Sequence, residues 1–165
     1  MEHTPGKPRL SAFELAELSY AYQQIAMDLT KQPLDYGTGE LYTPAEVHTV
    51  TRIELHPGIT ATQIADATMR TKSAVSQIVA RLEDKGLVRR EKDPGNGRQQ
   101  LLYVTDKGLQ LSRCHRAFDE AHVPLNDLVA RFGPDAVDQF ADMMVFLIRH
   151  GLNNAQKHNS KRNED

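Results

Sequence analysis

Between Thr43 and Thr105 the hydrophobic period of the chain switches once from helical to strand-like, and the capping residues around that switch leave few ways to fold it. Thr43 is followed by Pro44 and, three residues on, by Glu46, which together make a helix start. That helix runs to about His56 and ends at Pro57-Gly58. Thr60 and Gln63 form a second capping box that opens a short helix with Ile64 and Ala65 facing inward. Thr71–Lys85 reads as a third helix, stopped by Gly86. Leu87–Glu91 is then β-like, Asp93–Gly97 is dense in turn formers with Asn96-Gly97 as the hairpin dipeptide, and Gln100–Thr105 is a second strand. The expected fold class is mainly α with a small β-hairpin. The second and third helices, joined by a short turn at Ala67–Arg70, make a helix-turn-helix, and the hairpin is its wing.

Helical segments flank this core. Leu15, Leu18, Tyr22, Ile25 and Leu29 step by three and four within Leu10–Lys31, one apolar stripe closed by Pro33. Leu34–Leu41, with Gly37 and Gly39, reads as a loop. A helix from Thr105 to about His122 meets Pro124, and Gly133-Pro134 marks a stop and restart. Val137, Phe140, Met144, Leu147 and Ile148 form the stripe of the last helix. The expected divisions are a leader at 1–9, an N-terminal dimerisation helix and loop at 10–40, the winged lobe at 41–105, C-terminal dimerisation helices at 106–156 and a polar tail at 157–165. A winged lobe has little surface to cover two stripes from opposite ends of the sequence, so a second copy of the chain is expected to bury them. The full length of 165 residues suits one domain of that kind.

On a helical wheel of Thr71–Lys85, Val75, Ile78, Val79 and Leu82 share one side. Ser73, Ser76, Gln77, Ala80 and Asp84 take the other, with Lys72 and Arg81 at its edges. Short hydrogen-bonding side chains let a helix approach base edges in a major groove, where glutamine bonds adenine through two contacts. The whole chain carries 20 Lys+Arg against 22 Asp+Glu, a net charge of −2, which excludes a protein that holds nucleic acid by bulk charge. That sum hides an asymmetry. Arg70–Arg98 contains eight basic residues and four acidic ones, a local +4 that leaves −6 elsewhere. A basic lobe on an acidic body is the footprint of a double-stranded DNA reader.

The stretches TPAEVHTVTRIELHPGITATQIADATMRTKSAVSQIVARLEDKGLVRR and DPGNGRQQLLYVTDKG, within Leu41–Gly108, resemble the winged helix-turn-helix core of MarR-type transcriptional regulators. RLEDKGLVRR, the Asp-Pro turn, the wing arginine and the closing T-x-x-G are the specific parts. The resemblance implies a homodimer whose terminal helices intertwine, a pseudo-palindromic site with half-sites about 34 Å apart, and repression relieved by a small-molecule effector. It implies that Ser73, Ser76 and Gln77 meet bases, that Lys72 and Arg81 meet phosphate or flanking bases, and that Arg98 at the hairpin tip enters the minor groove. One departure stands in the wing. The family's Asp-x-Arg is here Asn96-Gly97-Arg98, so an ionic partner for the arginine is missing unless Asp93 supplies it.

The same resemblance places an effector cleft among Leu15–Leu29, Val47–Leu55 and Leu109–Phe118, with Tyr22, His48 and His115 as candidate contacts. It also raises a zinc-type alternative through His48, His115 and Asp119, although no metal or other cofactor is expected. A further alternative is a winged-helix module for protein contacts alone. Catalysis is not expected, since the chain has no nucleophile elbow, phosphate-binding loop or metalloprotease helix. No apolar run approaches a membrane span. Cys114 is the single cysteine and cannot form an internal disulfide, which suits a reducing cytoplasm; a buried, inert thiol is expected there.

Overall fold

The computed structural model describes residues 10–29 and 32–162, and the side chains of 26, 29 and 152–162 are outside that description. Seven helices and two small antiparallel hairpins occur among the described residues. Helix α1 spans Ala12–Leu29. Strands β1 (Leu34–Asp35) and β2 (Leu41–Tyr42) pair where a loop was expected. The reason is local. Asp35 Oδ1 accepts the backbone N–H groups of Gly37, Thr38 and Gly39 at 2.8, 2.8 and 3.1 Å, and it folds the intervening residues back on themselves. Gly37 and Gly39 take the positive φ values that this fold-back requires, 93° and 79°.

Helices α2 (Pro44–Leu55), α3 (Ala61–Thr68) and α4 (Lys72–Asp84) follow. The capping boxes at Thr43/Glu46 and Thr60/Gln63 are both formed, and Thr71 caps α4 by accepting from Ala74 N. The turn between α3 and α4 is one step shorter than the sequence suggests, because α3 runs to Thr68. Met69 closes α3 in the left-handed region at φ 53°.

Strands β3 (Val88–Asp93) and β4 (Asn96–Val104) form the wing. The turn sits at Pro94-Gly95, not at Asn96-Gly97. Asp93 Oδ1 accepts Gly95 N at 2.8 Å and Asp93 pairs directly with Asn96, so the corner is complete before Gly97. The next pair is Lys92 with Gln100, which leaves Gly97, Arg98 and Gln99 bulged out of the ladder. Ile59 bridges Leu102 as a third, single-residue strand on the other edge of β4.

Helix α5 (Asp106–His122) is capped by Thr105. Beyond Pro124 lie α6 (Leu125–Phe132) and α7 (Pro134–Arg162). Backbone helix in α7 continues past residue 156, where a polar tail was expected to begin; the leader at 1–9 lies outside the described residues.

One apolar core lies inside the winged lobe. Val47, Val50 and Ile53 of α2 meet Ile64 of α3, the Val75–Leu82 stripe of α4, and Leu87, Leu102 and Leu111. Burying each of these side chains contributes roughly 1.5–3 kcal/mol. The flanking helices behave differently. Every described side chain of α1 is exposed, including Phe13, Leu18, Tyr22 and Ile25, and so are Phe140, Met143, Phe146 and Ile148 of α7.

Candidate nucleic-acid interface

Helix α4 divides as its wheel predicts. Val75, Ile78, Val79 and Leu82 are buried, whereas Lys72, Ser73, Ser76, Gln77, Ala80 and Arg81 are exposed. The C-terminal end is closed by a Schellman pair: Leu87 N donates to Leu82 O and Gly86 N donates to Glu83 O, both at 2.8 Å, around Gly86 at φ 70°. This closure turns the chain directly from α4 into the wing.

The eight cations of the lobe fall into two sets. Lys85 donates to Glu46 Oε1 at 2.9 Å and lies over the Tyr42 ring at 4.9 Å, and Arg81 approaches the same carboxylate at 3.8 Å. Glu46 is almost fully buried. Burial pushes its carboxyl upward, but the bonds from Lys85 and from Thr43 more than offset this and hold it below the ordinary range. Arg89 pairs with Glu91 and lies over the Tyr103 ring, and Arg90 meets Glu83 at 2.8 Å. The second set, Arg70, Lys72, Lys92 and Arg98, has no acidic partner among the described residues. Charges already paired within the protein have less to gain from phosphate, so these four carry most of the lobe's free positive potential.

Arg98 is therefore displaced from the tip that the sequence suggested. It stands in the bulge behind the turn. Asn96 Oδ1 accepts the backbone N–H of Arg98 at 3.3 Å, and Asn96 Nδ2 reaches Gln99 Oε1 at 3.5 Å. Asp93 does not replace the missing ionic partner, because its carboxylate is spent on Gly95. The wing thus fixes the backbone of Arg98 and leaves the guanidinium unpaired. Between Arg98 and the amino end of α3 is an open cleft of about 490 Å³, lined by Thr60, Thr62, Gln63, Gln99 and Gln100.

Sequence reasoning counted Arg70 and Lys92 in the charge sum but gave them no role, and it missed Glu46 as the clamp on the C-terminal half of α4. Pairing decides both points, and pairing across 39 residues of chain has no local signature.

The sensing candidates occupy a seam between α2 and α5. His115 is 4% exposed. Its Nε2 lies 3.2 Å from Asp119, its Nδ1 lies 3.3 Å from Thr51 Oγ1, and its ring packs edge-on against His48 and Tyr36 at 4.8 and 5.3 Å. Burial lowers its pKa, Asp119 opposes that, and His48 and Arg116 reinforce it. Ser112 donates to Glu54, which also pairs with Arg116 at 2.8 Å. The structure brings His48, His115 and Asp119 together, yet both ring nitrogens of His115 are already engaged. No cluster of three or more His, Cys, Asp or Glu side chains able to hold a metal occurs among the described residues. Tyr22 lies on α1 and is 70% exposed. Cys114 is half-buried against the core.

Residues 42–99 match the MarR family model. The transcriptional regulator HosA of Escherichia coli O111:H- is 33% identical over 73 residues, 44% of this chain and 49% of HosA. The chain spans about half the length of the curated relatives it matches. The crystal structure of MarR superposes with a TM-score of 0.64 at 22% identity, covering 93% of this chain and 99% of MarR. The transcriptional repressor CouR, bound to a 23-mer DNA duplex, superposes at 0.64 and 24% identity, covering 85% of this chain and 99% of CouR. Residues 42–99 are thus similar to the MarR family, and the fold is similar to that of the solved MarR structure.

Proposed function

We propose that this MarR-family winged-helix protein is a homodimeric DNA-binding regulator of transcription, acting as a repressor in the cytoplasm and released by a small-molecule effector. Helix α4 enters the major groove, with Ser73, Ser76 and Gln77 toward base edges. Lys72 and Arg81 meet phosphate or flanking bases, and Arg98 reaches the adjoining minor groove from the bulge of the wing. The observations that carry this reading are the exposed polar side of α4 and the four cations Arg70, Lys72, Lys92 and Arg98, which have no acidic partner among the described residues. The repressor CouR, a structural neighbour, is itself bound to duplex DNA.

Dimerisation follows from the flanking helices. Phe13, Tyr22 and Phe146 are 72%, 70% and 68% exposed in the single chain, on elements that carry further exposed apolar residues. Contiguous apolar surface of that kind is covered by a partner in stable soluble proteins, and a second copy supplies matching stripes.

The test is selection of bound duplexes from a random pool, followed by titration of the selected duplex at two salt concentrations. The expected result is a two-fold-related site with half-sites about one helical turn apart and affinity that falls steeply with salt. Binding without salt dependence, or no binding to any duplex, would leave a protein-contact module as the better account.

A further inference from the structure

Glu46 carries more than a helix cap requires. The two oxygens of its carboxylate face different elements. Oε2 accepts the backbone N–H of Thr43 at 2.8 Å and the Thr43 hydroxyl at 3.0 Å, which completes the capping box of α2. Oε1 faces α4, where Lys85 Nζ donates to it at 2.9 Å and Arg81 Nε stands 3.8 Å away. In α3 the same box is completed by an amide. Gln63 Oε1 accepts the N–H and the hydroxyl of Thr60 at 2.9 and 3.0 Å. One neutral oxygen therefore serves the cap. A carboxylate only 3% exposed bears a desolvation cost that the cap does not demand. Burial opposes its ionisation, yet the bonds from Lys85 and Thr43 keep it charged. What exceeds the cap is the charge and the oxygen turned toward α4.

That oxygen meets the reading side of α4. Ser73, Gln77 and Arg81 are spaced by four and share one stripe, which Lys85 continues at the C-cap. Lys85 is held from two sides, by Glu46 and by the Tyr42 ring at 4.9 Å, and it anchors the carboxylate. Arg81 is approached at Nε, its side chain is 53% exposed, and it has no other partner among the described residues. A guanidinium steered at Nε keeps the four N–H groups of its two Nη atoms for another acceptor. We propose that Glu46 is a positioning residue for DNA reading, which aims the Arg81 guanidinium from inside the lobe at the flanking bases next to Gln77. The proposal rests on the DNA-binding reading above. An arginine fixed in one direction favours the sequence that presents an acceptor there, whereas a freely swinging one meets phosphate on any duplex, so the clamp acts on the difference between affinities.

The experiment titrates the full chain with the selected duplex and with random duplex, and its readout is the ratio of the two affinities. Glu46→Gln keeps an oxygen for the cap and turns an amide donor toward the two cations, which releases them. The ratio is expected to fall by about tenfold. Arg81→Gln should lower it by a similar factor, and the double variant Glu46→Gln/Arg81→Gln should lower it no further. Lys85, once released, meets phosphate on either duplex alike and leaves the ratio untouched. Cooperative melting above the assay temperature shows that a variant is folded. Lys85→Gln is the second handle where Glu46→Gln fails that check: without its anchor, Glu46 draws Arg81 inward and the ratio falls again. An equal loss on both duplexes, an unchanged ratio, or a further fall in the double variant overturns the proposal and leaves Glu46 a support of the fold alone. A wild type that binds no duplex removes the DNA reading and this proposal with it. Salt-dependent binding by the wild type with the ratio unmoved in the variants removes this proposal alone.

Discussion

Gly108 and Gly86 are both small for reasons that can be separated. A Cβ at Gly108 would collide with the carbonyl oxygen of Leu87, where the first turn of α5 crosses the exit from α4. The backbone must shift to admit even alanine, so Gly108→Ala should destabilise by roughly 1–3 kcal/mol, as overpacking does. Nothing lies within 4 Å of a Cβ at Gly86, but its φ of 70° strains any L-residue. Gly86→Ala should therefore cost only about 1 kcal/mol. Urea melts of the two variants distinguish these origins; equal losses would mean that the close approach at Gly108 relaxes freely. On the functional side, Gln77 is fully outside the core, so Gln77→Ala should leave the melt unchanged. It should lower affinity for the selected duplex by about 1–3 kcal/mol with little change on random duplex. A uniform loss on all sequences would place Gln77 against backbone phosphate.

At the scale of elements, two contacts tie helices into the lobe, and both titrate. Glu46 joins the start of α2 to the end of α4, and its carboxyl is held below the usual 4.5. A depressed carboxylate stabilises the fold above its unfolded pKa, and that share is lost as pH falls below about 4.5 toward the folded value. Glu46→Gln should cost about 1–3 kcal/mol at neutral pH and should reduce the acid sensitivity below pH 4.5. His115 joins α5 to α2 as a neutral ring, its pKa lowered from 6.5. A base that is harder to protonate in the fold stabilises fully above the unfolded pKa, and that share fades as pH falls from about 6.5. His115→Asn should flatten the stability profile between pH 7 and 5, read by thermal melts; an unchanged slope would show that Asp119 absorbs the proton's charge. The same elements show what the chain discloses on its face. The boxes at Thr43 and Thr60 and the stop at Gly86 are each written within a few residues of chain, and the structure forms all three. The buried and exposed sides of α4 follow from its period alone. The wing turn was misplaced because two turn-forming pairs, Pro94-Gly95 and Asn96-Gly97, stand side by side, and the choice falls to the bond from Asp93. The pairing of Lys85 and Arg81 with Glu46 depends on contacts between distant segments and has no spacing to read.

At the scale of the whole molecule, charge and apolar surface are segregated, and the proposed function needs both. The winged lobe closes its own core, whereas α1 and much of α7 keep their apolar side chains exposed. A monomer would present one set of four unpaired cations to DNA, and a dimer would present two. Counterion release makes that difference measurable. With about 0.9 counterion released per neutralised phosphate, a dimer engaging all eight gives a log–log salt slope of about −7, and a monomer gives about −4. Leu18→Glu and Phe146→Glu place charge on the exposed stripes, away from the lobe's core. Each should shift sedimentation toward the monomer while leaving the winged lobe folded, and each should carry the slope from the steeper value to the shallower one. A variant that sediments as a monomer but retains the steep slope would show that one lobe alone supplies the phosphate contacts. That result would detach dimerisation from DNA affinity, leaving the second copy to set only the spacing of half-sites.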